Sequence, residues 1–207
     1  MSDRSLSDSV GDFAELVAAG TPTPGGGSVA AYCGVLAASL GQMVCSITIS
    51  KPKYADVAPR LTEIKSELER LGARLRELIA EDAASFEAVL RAYRLPKDTD
   101  AQKAERSGSI QESIQGAIDV PSETARCSFD VLKLMDELAE IGTPTALSDV
   151  AVGAQIAQAA IRGAFYNVCV NLDSMADRDA ADSTRKEIEA LVHQALTIAE
   201  QVSARME

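Results

Sequence analysis

The feature that most limits the fold is a segment between Ser28 and Ser50 that is apolar on nearly every side of the helix it predicts. A helix of this kind lies either in a membrane or at the centre of a helical bundle. The polar side chains of Ser39, Gln42 and Ser46, and the polar sequence before the segment, favour the bundle. We therefore expect a central helix in a protein without a membrane partner.

Apolar residues recur every three or four positions along the rest of the chain, and no segment shows the sustained alternation of a β-strand. This pattern predicts an all-α fold with a single domain over residues 1–207. We expect an orthogonal or antiparallel bundle of five or six long helices. Besides Ser28–Ser50, the predicted helices are Ser7–Ala19, Ala55–Tyr93, Thr99–Gly142 with a bend near Pro121, Asp149–Leu172 and Arg178–Met206.

Charge and residue usage disfavour several classes of function. The net charge of -11 argues against a nucleic-acid partner, which needs a clustered basic face. Because His193 is the only histidine, His-based triads and most zinc sites cannot be assembled. Cys33, Cys45, Cys127 and Cys169 form no C-x-x-C pair and read as reduced structural residues. The polar, acidic start of the chain lacks the order of a secretory signal, so we expect a cytoplasmic location.

Asp82 is a carboxylate at an apolar position of a very long amphipathic helix. It lies four residues after Leu78 and four before Phe86, on a seam that continues to Val89 and Tyr93. A partly buried carboxylate has a raised pKa, which suits it to accept and return a proton near pH 7. The alternative is that Asp82 pairs with a Lys, Arg or amide of a neighbouring helix. On the first interpretation Asp82 is a general base and acid.

A glycine-rich turn precedes the central helix. Gly25, Gly26, Gly27 and Ser28 place backbone N–H groups, unblocked by side chains, at the N-terminus of that helix. Such a terminus can hold a carboxylate or the polar edge of a ring. The alternative is a tight turn that lets the chain approach another helix closely.

Two further groups of polar residues are candidates for binding. Ser148 and Asp149 begin the second apolar helix, where they could cap its first turn or contact a ligand. Asn167 and Asn171 lie one turn apart on that helix, and unpaired amides there would cost stability unless they bond a ligand or other helices.

Four cations lie where predicted helices end. Lys51, Lys53, Arg94 and Lys97 could form a local positive rim in an otherwise acidic protein. Such a rim would suit an anionic substrate tail. The alternative is that these cations offset the helix dipoles.

Short strings of residues also occur along nearly the whole chain in the order and spacing of a known family. The strings are Thr23-Pro24-Gly25-Gly26-Gly27-Ser28-Val29-Ala30-Ala31, Met43-Val44, Lys51-Pro52-Lys53-Tyr54, Asp82-Ala83 with Phe86, Arg94-Leu95-Pro96-Lys97, Val120-Pro121, Ser148-Asp149, and Gly163-Ala164 with Asn167-Val168 and Asn171-Leu172. With these strings, the chain resembles the formimidoyltetrahydrofolate cyclodeaminase and methenyltetrahydrofolate cyclohydrolase family. It departs at Lys51-Pro52-Lys53, where relatives often have consecutive lysines or a preceding glycine.

The resemblance implies a helical homodimer that binds a tetrahydrofolate derivative and needs no metal or redox cofactor. The family's catalytic aspartate corresponds to Asp82. A cyclohydrolase that converts 5,10-methenyltetrahydrofolate and water to 10-formyltetrahydrofolate is favoured because the chain lacks a formimidoyltransferase domain. The alternatives are a cyclodeaminase, which forms 5,10-methenyltetrahydrofolate and ammonia from 5-formimidoyltetrahydrofolate, and a non-catalytic helical scaffold. The expected substrate-binding residues are Gly25, Gly26, Gly27, Ser28, Lys51, Lys53, Arg94, Lys97, Asp149, Asn167 and Asn171.

Overall fold

The computed structural model describes residues 10–206, and every regular element in that range is helical. The all-α fold predicted from the sequence is therefore confirmed, whereas the predicted helix start at Ser7 lies outside the described residues and the single domain stays a prediction. The α-helices are α1 (Val10–Ala18), α2 (Gly26–Ile49), α3 (Ala58–Tyr93), α4 (Asp100–Ile141), α5 (Leu147–Leu172) and α6 (Arg178–Ala204), with short 3-10 helices at Pro52–Tyr54 and Pro144–Ala146.

Helix α2 runs antiparallel to both α3 and α5. Near its start, Ser28 Oγ donates to Ile79 O at 3.1 Å, and further along, Gln42 Nε2 donates to Leu68 O at 3.3 Å. On its other side α2 packs closely on α5, where a Cβ on Gly163 would lie 3.2 Å from Ala30 Cβ. Because α2 also contacts α4, it has neighbours on three sides, as a central helix should.

The core is built on the apolar seam of α3. Leucine and isoleucine side chains recur there every three or four residues, and burying each of them contributes about 1.5–3 kcal/mol. Phe86 and Tyr93 were predicted on the same seam but are 39% and 48% exposed. They lie beyond Asp82, where α2 begins, so α3 continues there without α2 beside it. The fully buried seam residues are Leu61, Ile64, Leu68, Leu71, Leu75 and Leu78.

Helix α4 continues through Pro121, which is buried. Proline has no backbone N–H, so the carbonyl of Ala117, one turn earlier, loses its usual partner within the helix. Asn171 Nδ2 of α5 donates to that carbonyl at 2.8 Å. The two helices are therefore joined at the position where α4 lacks a hydrogen bond of its own, and the bend near Pro121 stays a prediction.

Helices α5 and α6 complete the bundle. The structure begins α5 at Leu147 with Ala146 in the capping position, so Ser148 and Asp149 lie in the first turn and do not cap it. Helix α6 begins after Asp177, whose Oδ1 accepts from Ala180 N at 3.0 Å. It packs against α4 and α5 through a buried apolar face.

One side of α2 and of α5 is left uncovered, so α2, which was predicted to be a central helix, is enclosed on only part of its surface. Of the described residues, α2 is the one helix long and apolar enough to cross a membrane by length and composition, and only 44% of its apolar window is buried. We call the uncovered surface the α2/α5 face. Its exposed side chains are Leu36, Met43 and Ile47 of α2 and Val152, Tyr166 and Val170 of α5.

Candidate active site

A pocket of about 290 Å³ lies at the N-terminus of α2. It is enclosed by the glycine-rich turn and by segments of α3, α4 and α5. Asp82 is the only charged side chain among its described lining residues. The lining residues are Pro22, Thr23, Gly25, Gly26, Gly27, Asp82, Ser85, Phe86, Val89, Ala117, Asn167, Val170 and Asn171.

The carboxylate of Asp82 is bound to the first turn of α2. Ser28 Oγ donates to Asp82 Oδ2 at 2.9 Å, and the backbone N–H of Ser28 also donates to this carboxylate. Burial raises the pKa of Asp82 above its ordinary value, and the hydrogen bonds from Ser28 offset part of that rise. No Lys or Arg is paired with Asp82 within residues 10–206. A partly desolvated carboxylate with a raised pKa is suited to proton transfer near neutral pH.

Gly27 explains how Asp82 comes so close to the backbone of α2. A Cβ at position 27 would collide with Asp82 Oδ1 and would lie 2.6 Å from Asp82 Cγ. The absence of a side chain therefore makes room for the carboxylate. The glycine turn does hold a carboxylate, as the sequence suggested, but the carboxylate is that of Asp82 itself.

The two asparagines of α5 form another wall of the pocket. Asn167 Nδ2 donates to Gly163 O at 2.9 Å, while Asn171 Nδ2 donates to Ala117 O and to Asn167 O. Their amide nitrogens thus donate to backbone carbonyls of the fold, which was one of the two interpretations of the sequence. The amide oxygens accept no hydrogen bond from any residue that the structure describes, so they are available to N–H groups of a ligand.

Lys51, Lys53 and Asp149 lie at the opposite end of the bundle. Helix α2 is 24 residues long, so about 36 Å separates its two ends. Lys51 Nζ donates to Thr143 Oγ1 and Thr145 Oγ1, both at 2.9 Å, and Asp149 lies in the first turn of α5. Within one chain these residues therefore do not share a pocket with Asp82.

Arg94 and Lys97 lie in the connection between α3 and α4, and both are exposed. Arg94 ends α3, about 18 Å beyond Asp82 along that helix. Neither residue lines the pocket.

Two contacts at this site were not predicted from the sequence. Phe86, assigned to the core, lines the pocket one helical turn after Asp82. The spacing of four residues could have indicated this, because it puts both side chains on one face of α3. The hydroxyl of Ser28 was considered only as part of the turn, and its bond to a residue 54 positions away has no signal in the sequence.

Comparisons with known proteins agree with one another. The model of the formiminotransferase-cyclodeaminase family matches residues 9–190. A methenyltetrahydrofolate cyclohydrolase of Methylorubrum extorquens is 38% identical over 195 residues, which is 94% of each chain. The rat formimidoyltransferase-cyclodeaminase is 32% identical over 206 residues, and this chain spans only 38% of its length.

The fold of a solved relative is also similar. The crystal structure of formiminotetrahydrofolate cyclodeaminase from Thermotoga maritima superposes with a TM-score of 0.82, at 28% sequence identity, over 94% of this chain and 95% of that one. Sequence and structure therefore lead to the same assignment: the chain belongs to the formiminotransferase-cyclodeaminase family.

Proposed function

We propose that this protein is a methenyltetrahydrofolate cyclohydrolase in which Asp82 is the general base and acid. The observation that carries this proposal is the partly buried Asp82 carboxylate, hydrogen-bonded to Ser28 in the wall of the pocket. The Methylorubrum relative named for this activity is 38% identical and aligns over 94% of each chain, which supports the proposal.

The charge of the pocket suits a methenyl bridge. The bridge between N5 and N10 of 5,10-methenyltetrahydrofolate carries a delocalised positive charge, and Asp82 is the one charged group among the described lining residues. In a partly desolvated site, a carboxylate and a cation attract each other more strongly than they do in water. The bound cation would also favour the ionised form of Asp82, which is the form that accepts a proton.

The reaction needs proton transfers beside one carbon atom. A water oxygen adds to the methenyl carbon while Asp82 takes a proton from that water, which gives a tetrahedral intermediate. Asp82 then returns this proton to N5 as the carbon–N5 bond breaks, the hydroxyl of the intermediate loses its proton to become the formyl oxygen, and the formyl group stays on N10. One proton is released to solvent overall. General acid–base catalysis of this kind contributes roughly 100- to 10,000-fold in rate.

The alternative function is that of a formimidoyltetrahydrofolate cyclodeaminase. In that reaction N10 attacks the formimidoyl carbon of 5-formimidoyltetrahydrofolate, ammonia leaves, and a base beside the same carbon takes the N10 proton. The similarity to the Thermotoga cyclodeaminase supports this alternative. A non-catalytic scaffold remains the third hypothesis.

One assay separates these functions. The protein is incubated separately with 5,10-methenyl- and 5-formimidoyltetrahydrofolate, and methenyl absorbance and ammonia are followed. A hydrolase lowers the methenyl absorbance in the first incubation. Faster formation of methenyl absorbance and ammonia in the second would make the protein a cyclodeaminase, and no turnover of either folate would favour the scaffold.

The proposed function includes a homodimer. The exposed apolar side chains of the α2/α5 face support it, because a contiguous apolar patch on a soluble protein marks an interaction surface. Static light scattering should give twice the chain mass of 21.8 kDa. A mass of one chain would contradict this part of the proposal. The cytoplasmic location and the absence of a metal or redox cofactor stay predictions.

A further inference from the structure

We propose that Pro121 is a positioning residue for substrate binding, which acts through the side chain of Asn171. Pro121 leaves the carbonyl of Ala117 free to hold the Asn171 amide with its oxygen turned to the pocket. That oxygen then accepts a hydrogen bond from a ring N–H of the pterin. This inference rests on the proposed function, because it takes a tetrahydrofolate derivative as the ligand.

The first step of the argument is the position of the proline. Pro121 lies inside the 42-residue helix α4 and is buried, although a proline there weakens the helix that contains it. It does not line the pocket, but Ala117, one turn earlier on the same helix, does. The effect of Pro121 on the pocket therefore passes through the carbonyl that it leaves without a helical partner.

The second step is what this carbonyl does. Asn171 Nδ2 donates to Ala117 O at 2.8 Å and to Asn167 O at 3.0 Å. A side-chain amide nitrogen carries two N–H donors, so both donors of Asn171 are used. Because Ala117 is only 6% exposed, little water is present to replace the amide at its carbonyl.

The third step is the orientation of the amide. If the Asn171 amide turned over, its oxygen would face Ala117 O and Asn167 O, and no donor would lie between these three oxygens. The two carbonyls therefore select one of the two amide orientations. In that orientation Asn171 Oδ1 accepts no hydrogen bond from any residue of the described range, and Asn171 lines the pocket.

An oriented acceptor matches the chemistry of a pterin. The reduced pterin ring has N–H donors at N3, at N8 and on its 2-amino group. The side-chain acceptors in the described lining include Asp82, Asn167 and Asn171. A ring donor that met an amide nitrogen would stay unpaired, which costs binding energy. Fixing the Asn171 oxygen toward the ligand before binding avoids the cost of ordering it.

Binding of tetrahydrofolate tests the proposal, because neither proposed reaction consumes this compound. Pro121→Ala restores an N–H that donates to Ala117 O within α4 and competes with Asn171. Anaerobic isothermal titration calorimetry should then show a dissociation constant about 2- to 12-fold higher, the range for one hydrogen bond. Asn171→Ala should weaken binding by a similar factor, but by less when position 121 is already alanine.

Asn167→Ala is the matched control. Its side-chain nitrogen donates to Gly163 O in its own helix, so its orientation does not depend on Pro121. Asn167→Ala should change the dissociation constant by the same factor with proline or alanine at position 121. Equal affinities of the wild type and Pro121→Ala would overturn the proposal, as would additive effects of Pro121→Ala and Asn171→Ala.

Steady-state kinetics separate positioning from a role in the fold alone. With the folate that the protein turns over, Pro121→Ala should raise KM by the same factor and leave kcat unchanged, because Asp82 keeps its bond to Ser28. A lower kcat at an unchanged KM would contradict a positioning role. If the wild type bound no tetrahydrofolate, the proposed function would fail together with this inference, whereas equal binding by wild type and Pro121→Ala refutes the inference alone.

Discussion

The hydrogen bond between Asn171 and Ala117 gives a quantitative test of how the pocket is held together. Asn171→Ala removes the donor that serves the carbonyl left free by Pro121. Ala117 is 6% exposed, so its carbonyl has little water to replace that donor. A buried unsatisfied group costs about 1–3 kcal/mol. In a chain of this size each kcal/mol lowers Tm by about 2–4 °C.

A double-mutant cycle isolates this interaction from other effects of the substitutions. Pro121→Ala restores a backbone N–H that can donate to Ala117 O within α4. In that background Asn171→Ala should therefore cost at least about 1 kcal/mol less than in the wild type. The free energies of unfolding are measured by urea denaturation of all four proteins.

The result that would refute this reasoning is additivity. If the two substitutions add to within about 0.5 kcal/mol, Asn171 does not compensate for the proline. Asn167→Ala is the matched control, because its side-chain nitrogen bonds Gly163 O in its own helix. It should show no coupling to Pro121→Ala.

Three other substitutions address Asp82 and its neighbours. Gly27→Ala should lower kcat/KM by roughly 100- to 10,000-fold, because the new Cβ displaces the Asp82 carboxylate; unchanged turnover in the methenyl absorbance assay would contradict this. Ser28→Ala removes a hydrogen bond that lowers the pKa of Asp82. The acid limb of the pH profile of kcat/KM should therefore move to higher pH, and a shift to lower pH would contradict this expectation. Because burial raises the pKa of Asp82 in the folded state, its stabilising contribution is complete below the unfolded pKa and is lost as pH rises through the folded pKa. Asp82→Asn should therefore raise Tm relative to the wild type, and the rise should be larger at pH values above the folded pKa of Asp82 than in acid. Thermal melts across pH that show the reverse trend would exclude this explanation.

The helices could be predicted from the sequence because their apolar residues recur at helical spacing. The position along α3 at which the core ends could not be predicted from the sequence, because periodicity does not show where a neighbouring helix begins. Phe86 and Tyr93 continue the seam of α3 perfectly well in sequence, yet α2 starts beside Asp82 and leaves them exposed. Likewise, an all-apolar helix such as α2 does not indicate which of its sides is covered within its own chain.

The candidate site could be predicted only in part. Asp82 is recognisable because a carboxylate interrupts an apolar seam, and the glycine turn is recognisable by composition. The contact of Asp82 with Ser28 depends on the antiparallel register of α2 and α3, which only the folded chain establishes. Lys51 and Lys53 were predicted to bind the substrate together with the other candidates. The order of residues in the sequence does not give their distances in the fold, and the length of α2 separates these lysines from the pocket.

The most direct test of Asp82 as the proton-transferring group compares the wild type with Asp82→Asn. The substitution keeps the shape of the side chain, and the amide can still accept from Ser28, while the site loses its charge and its ability to take up a proton. We expect folate binding to persist and the change in methenyl absorbance to fall by roughly 100- to 10,000-fold in rate. Turnover of 5,10-methenyltetrahydrofolate by Asp82→Asn at the wild-type rate would show that the proton moves through another group.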